Sequence, residues 1–230
     1  MTISVIIPTL NEHRVLAKTL THTASQGVDE IIVVDGGSTD LTVPTAQAFC
    51  TTTPGTHLIT TLRGRARQMN EGAKASRGDV LLFLHADTQL PEDIEGLIEA
   101  TFSDPTIVGG RFDVRFDSSS LWSQIISSFM NCRSRLTGIA TGDQALFVRR
   151  QIFEQLGGFA EIPLMEDIHF SKRLKRAGRI ASLRNTVITS FRRWETQGPL
   201  RTILLMWTLR FLYWIGVSPH RLNRAYRVVR

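Results

Sequence analysis

Apolar residues gather into short unbroken runs along the first half of the chain, separated by stretches that carry apolar residues at helical spacing. Ile3–Ile7, residues 30–35, residues 57–62 and Val80–Leu84 predict strands. Residues 12–26, 39–50, 66–76 and 92–103 predict the helices between and after them. Asn11 stands where a helix N-cap would be and Gly27 where a C-terminal stop would be, and Pro91 precedes a helix whose first turn is acidic ("PEDIE"). Strands that are apolar at every position, alternating with helices, imply a mostly parallel sheet covered on both faces.

The second half reads differently. "RFDVRFD" (Arg111–Asp117) alternates polar and apolar, as a half-exposed antiparallel strand would. A helix follows over 119–135, then a short strand in "QALFVRR". "EDIHFSKRLKRAG" predicts a helix closing at Gly178, residues 180–188 an edge strand, and the chain from Leu200 on is helical. No clean boundary appears. The reading is one α/β domain over 1–190 and a basic, apolar helical tail over 191–230.

Composition adds little until it is split. With 230 residues, 42% hydrophobic and 21% charged, the chain suits a globular protein with a sizeable core. Residues 171–230 hold 14 of the 27 Lys and Arg but only one of the 21 acids, Glu195, which leaves the tail near +13 and the rest near −7. That asymmetry points to an anionic partner for the tail: a membrane surface, a nucleic acid or a phosphorylated substrate. No nucleic-acid motif accompanies it, so nucleic acid is set aside. Cys50 and Cys132 lie far apart with no CxxC and read as small hydrophobes in a reducing compartment. "MTISVIIPT" lacks the basic region and long apolar run of a signal peptide, which places the protein on the cytoplasmic side.

Two of the buried strands end in carboxylates. "EIIVVD" stops at Asp35 and "VLLFLHAD" at His85-Ala86-Asp87, while the first strand ends in Pro8, Thr9, Leu10, Asn11 and Glu12. In open parallel sheets ligands bind beyond the carboxyl ends of the strands, so these ends would share one crevice. The plainer alternative is that Asp35 begins a turn and Asp87 or Thr88 caps a helix. The first strand is followed by "PTLNE", with neither GxGxxG nor a P-loop, so no glycine loop cradles phosphates. A carboxylate at such an end can still hold ribose or base, and another a divalent cation at a diphosphate.

"SVIIPTLNE", "IIVVDGGSTDLT", "GRARQMNEGAKASRGDVLLFLHADT" and "MEDIHFSKRLKRAG" resemble, in order and spacing over residues 2–180, the family 2 glycosyltransferases of GT-A fold, and among them small bacterial transferases with "HAD" in place of DxD. The resemblance implies a nucleotide-sugar donor and a set of roles. Pro8, Thr9, Asn11 and Glu12 would line the nucleotide pocket. Asp35 would bind uracil or ribose, and Arg63 or Arg65 would approach base or phosphates. Asp87 would hold Mn²⁺ or Mg²⁺, with His85 at the position of the first DxD acid, as ligand, sugar contact or mere packing. Asp167 would be the general base of an inverting transfer, supported by Glu166, where acids at a helix start alone would need no more than the helix dipole. Gly142, Asp143 and Gln144 resemble the acceptor-side loop. Arg192, Arg193 and Trp194 would fold over the diphosphate, or form a solvated basic loop. UDP is the expected nucleotide. A nucleotidyltransferase of similar layout and a non-catalytic sugar-nucleotide-binding protein are the alternatives.

In the tail, Leu200, Leu204, Trp207, Phe211 and Trp214 form one helical stripe, interrupted by Arg201 and Arg210, and Arg221, Arg224, Arg227 and Arg230 recur every third residue. The stripe predicts either core or subunit packing, as in a homodimer, or contact with a membrane surface or lipid acceptor.

Overall fold

In the computed structural model, which describes residues 1–229 and the side chains of residues 1–226, the first half alternates as its pattern predicts. It runs β1 (Ile3–Thr9), α1 (His13–Ser25), β2 (Glu30–Asp35), α2 (Thr42–Thr52), β3 (Thr56–Thr60), α3 (Arg65–Ala75), β4 (Val80–Phe83), β5 (Thr88–Gln89) and α4 (Ile94–Phe102). Then come β6 (Ile107–Phe116), α5 (Leu121–Thr137), β7 (Leu146–Arg149), α6 (Arg150–Gln155), α7 (Glu166–Ala177), β8 (Arg179–Thr189), α8 (Arg192–Gln197), α9 (Pro199–Trp214) and α10 (Pro219–Val229).

All eight strands form one sheet in the order β3-β2-β1-β4-β7-β6-β8-β5. The strands from β3 to β4 are parallel; β7 then pairs antiparallel with both β4 and β6, and β5 antiparallel with β8. β6 and β8 run parallel. The sheet is therefore mixed, with four parallel and three antiparallel pairings, the antiparallel ones entering at β7 and β5. Alternate residues of the central strands feed two cores. Val5, Ile7, Val33 and Leu82 pack under α1, α2 and α4. Ile6, Ile32, Leu81 and Phe83 pack under α3, α6 and α7. Each such side chain contributes roughly 1.5–3 kcal/mol by leaving water.

Two sequence expectations need correction. β6 is not half-exposed. It lies between β7 and β8 and is buried at nearly every position, Arg115 being exposed. Its polar residues turn inward in pairs: Arg111, 1% exposed, binds Asp113, and Asp113 also binds Arg135 of α5. Ion pairing lets charged residues occupy a buried strand, so the alternation marked an internal network. Asn11 does not cap α1 either. It adopts a left-handed conformation (φ 57°) and its Oδ1 accepts from the Thr39 amide at 2.8 Å, while Glu12 occupies the cap position.

Beyond β8, the inward faces of α9 and α10 pack Leu209, Leu222 and Tyr226 on Met165 and Ile168 at the start of α7. Of the recurring arginines, the side chain of Arg227 and all of Arg230 lie outside the described residues.

Candidate functional site

Parallel pairing brings the ends of β1, β2 and β4 together, with Thr9 opposite Asp35 and the Leu84 amide bonded to the Ile6 carbonyl. Asp35 is 1% exposed. Its carboxylate accepts from the Gly37 amide (2.8 Å) and from the amide (2.9 Å) and hydroxyl of Ser38, with the Thr9 hydroxyl at 3.4 Å. Those donors tie Asp35 into the turn that follows β2. Gln68 of α3, which sequence reasoning passed over, donates to the carbonyls of both Thr9 and Val34 (2.7 and 2.8 Å) and locks the two strand ends together. Its only sequence signal was a polar residue on the buried face of a helix.

After β4 the chain presents His85 and Asp87, two residues apart. His85 Nδ1 lies 3.1 Å from Asp143 Oδ1, and its Nε2 is buried with no hydrogen-bond partner among the described residues. Asp87 lies beside Glu12. Burial raises the Glu12 pKa, the Arg192 hydrogen bond lowers it, and the Asp87 charge raises it further. Arg192 pairs with Glu12 at 3.2 Å.

The third wall is the start of α7, entered through Met165 in a left-handed conformation (φ 69°), a strained geometry for a side-chain-bearing residue. It aims Glu166 inward, 3.3 Å from Arg65 Nε, and leaves Asp167 at the cleft, its Oδ2 accepting from the Gly142 amide at 3.0 Å. Burial pushes the Glu166 pKa up; Arg65 opposes and the Asp167 charge adds to the rise. A Cβ at position 142 would stand 1.6 Å from Arg65 Nη2 and 2.4 Å from His85 Nε2, so only glycine lets those groups close over the loop. Pro8, Arg65, His85, Gly142 and Asp167 line one cleft of about 330 Å³, its open mouth included. Arg63 is exposed and stands apart from it.

Asp143 is shifted in the opposite direction to Glu166. Burial would raise its pKa, but the His85 hydrogen bond and the charges of His85, Arg65 and Arg193 draw it down to about 2. Gln144 is fully buried and closes a capping box with Thr141, so it holds the loop. Trp194 joins Phe116 and Phe191 in an aromatic cluster instead of reaching the cleft. Two arginines that the sequence did not single out for this site do reach it: Arg133 of α5 and Arg210 of α9, each an electrostatic neighbour of Asp167 and Asp143. Burial and its neighbour Arg210 lower the Arg133 pKa to about 10, so it remains cationic at neutral pH.

No cluster of three or more His, Cys, Asp or Glu side chains forms a metal cage among the described residues. Asp87 has no ion-pair partner among them, and Glu12 stands beside it. One or two carboxylates suit Mg²⁺ or Mn²⁺ completed by substrate phosphates and water, so the donor set fits. His85 has its Nδ1 given to Asp143, and its charge still bears on Glu12.

A three-layer α/β sheet whose first strands end in this cleft defines a GT-A type glycosyltransferase fold, and solved structures agree. S. aureus TarS superposes with a TM-score of 0.66 at 18% identity over 88% of this chain and 39% of that one. A Pyrobaculum calidifontis mannosyltransferase solved with GDP-Man and Mn²⁺ gives 0.63 at 23% identity over 82% and 56%. The family model of glycosyl transferase family 2 matches residues 4–157, and the chain belongs to that family, which weighs against the nucleotidyltransferase alternative. Among curated proteins it is 28% identical to the glycosyltransferase AglE of Haloferax volcanii over 81% of this chain and 65% of that protein. It is 31% identical to an undecaprenyl-phosphate 4-deoxy-4-formamido-L-arabinose transferase of Pseudomonas aeruginosa over 64% and 46%. The chain thus spans about half to two thirds of these relatives' length.

Proposed function

We propose that this protein transfers a sugar from a nucleotide-diphospho-sugar, a UDP-sugar in the first instance, to an acceptor hydroxyl with inversion, and that Asp167 is the general base. The observation that carries the reading is the position of Asp167: it shares one cleft with Pro8, Arg65 and His85, so acceptor and donor sides meet there. Its Oδ2 is oriented by the Gly142 amide, as a base that must point at one proton requires.

In the step, Asp167 takes the acceptor proton and the acceptor oxygen bonds to the anomeric carbon. The bond from that carbon to the diphosphate breaks, and the electron pair leaves with the nucleoside diphosphate. Arg65 and Arg193 supply positive charge around the cleft. A divalent cation, when bound, neutralises the leaving diphosphate, and Asp87 with Glu12 beside it would hold it. Asp35, held by the turn after β2, would act by shaping the nucleotide side of the site. TarS structures in complex with UDP and with UDP-GlcNAc and the mannosyltransferase complex with GDP-Man and Mn²⁺ support donor and ion. The undecaprenyl-phosphate transferase supports an acceptor of lipid character.

The test is Asp167→Asn, assayed for transfer and for UDP binding. Transfer falls by about 10²- to 10⁴-fold while UDP affinity stays within a small factor. Loss of UDP binding with intact folding would reassign the residue.

A further inference from the structure

The exposed large apolar side chains are concentrated on two helices. Among the described residues, all but Met1, Leu41 and Leu62 lie on α5, on α9 or at Ile215 just after it. The tail stripe is in that set: Trp207 and Phe211 are 53% and 58% exposed, and Leu200, Leu204 and Trp214 are more open still. The stripe therefore does not pack into the core of its own chain. α5 adds Leu121, Trp122, Ile125 and Phe129, and the two helices meet where the Phe129 and Trp207 rings stand 5.5 Å apart.

One helical turn further along both helices the surface changes character. Arg133 follows Phe129 by four residues and Arg210 follows Trp207 by three, so each lies over its ring's face of the helix. Both arginines neighbour Asp167 and Asp143. Nε and Nη2 of Arg133 are buried with no hydrogen-bond partner among the described residues, as are those of Arg193. Buried guanidinium donors are ordinarily paired; an anion would pair them. The seam thus runs from exposed rings, through cations without hydrogen-bond partners among the described residues, to Asp167 and Asp143.

We propose that the α5–α9 seam is the acceptor entrance and docks on an anionic bilayer. The hydrocarbon of a phosphate-bearing lipid lies against Phe129, Trp207 and Phe211, and its phosphate against Arg133 and Arg210. The last step of the path, delivery of the reacting oxygen to Asp167, rests on the functional reading above. Charge selects this occupant. α5, α9 and α10 contain no acidic residue, and Arg201, Arg221 and Arg224 are exposed around the apolar face. Two copies meeting face to face would bring these like charges together, whereas an anionic surface attracts each of them. No described helix is long and apolar enough to cross a membrane, so the contact is interfacial.

The test uses the full chain in flotation with phosphatidylcholine vesicles, with and without phosphatidylglycerol. Phosphatidylglycerol should strengthen binding on the order of tenfold or more, and added salt should weaken it. Trp207→Ser with Phe211→Ser should abolish flotation, Arg201→Gln with Arg221→Gln and Arg224→Gln should remove most of the preference for phosphatidylglycerol, and Arg133→Gln with Arg210→Gln should weaken it further. Melting by circular dichroism establishes that each variant folds. Three results overturn the proposal: no flotation on either vesicle, flotation unchanged in the folded Trp207/Phe211 variant, or a stable dimer in the ultracentrifuge that buries the face and persists with vesicles. UDP-sugar hydrolysis, measured without vesicles, tests the donor reaction separately, so either reading can fail while the other stands.

Discussion

His85 Nδ1 sits 3.1 Å from Asp143 Oδ1, which joins the end of β4 to the loop before β7 across the mouth of the cleft. His85 also bears electrostatically on Glu12 and Glu166, so it links the acid after β1 with the acid at the start of α7.

Acid stability tests that link. A carboxylate whose folded pKa is depressed contributes stability that is complete above its unfolded value and lost as pH falls toward the folded one. For Asp143 that window runs from the ordinary value of 3.8 down to about 2. In His85→Ala the largest favourable partner is gone, so Asp143 titrates higher and the acid limb of the melting curve moves to higher pH. In Asp143→Asn the dependence over this window flattens. Calorimetric melting temperatures against pH check both. Parallel curves for wild type and His85→Ala would show that the contact carries no charge-dependent stability.

Gly142→Ala probes the closest approach in the site. The added Cβ must displace Arg65 Nη2 and His85 Nε2, the mobile ends of side chains, so the fold survives with a cost of about 1–3 kcal/mol. The displaced groups no longer frame Asp167, and a shift of that size costs about 10²-fold in kcat/KM. Chemical denaturation and steady-state kinetics separate the two effects. A variant with wild-type kcat/KM would mean that Arg65 and His85 do not shape the reacting geometry.

Much of this was legible in the sequence, for identifiable reasons. Continuous apolar runs predicted β1, β2 and β4, and the acids at their ends marked the edge where the cleft forms, because strand burial and parallel pairing are both written in local pattern. The inward pairing of Arg111 with Asp113 was not legible, since an alternating strand looks the same whether its charges meet water or each other. Nor were the contributions of Arg133 and Arg210, which depend on α5 and α9 folding back over α7 from distant parts of the chain. Asp35 stood out as a ligand candidate, and its hydrogen bonds to Gly37 and Ser38 show that it also builds the turn.

Donor binding should depend on a divalent cation through Asp87. With Mn²⁺ present, Asp87→Asn lowers UDP affinity about tenfold or more, and EDTA lowers the wild type to a similar level. The two changes act on one interaction, so EDTA has little further effect on the variant. Isothermal titration with UDP, with and without metal, reads all four states. Equal UDP affinity for wild type in Mn²⁺ and in EDTA would remove the cation from the donor site.

Asp35 offers a test that separates building a pocket from touching its ligand. Its donors Gly37, Ser38 and Thr9 all belong to the protein, and removing the acceptor strands them at least partly buried. Asp35→Ala should therefore cost about 1–3 kcal/mol of stability, seen as a lower denaturant midpoint with an unchanged slope. Asp35→Asn keeps one oxygen acceptor and should recover part of that cost. UDP affinity, measured on each variant well below its melting temperature, should follow the order of the stabilities, because the ligand reads the shape of the turn. A direct contact between Asp35 and the nucleotide gives a different result: both variants keep near-native stability, and both lose UDP affinity by a similar factor.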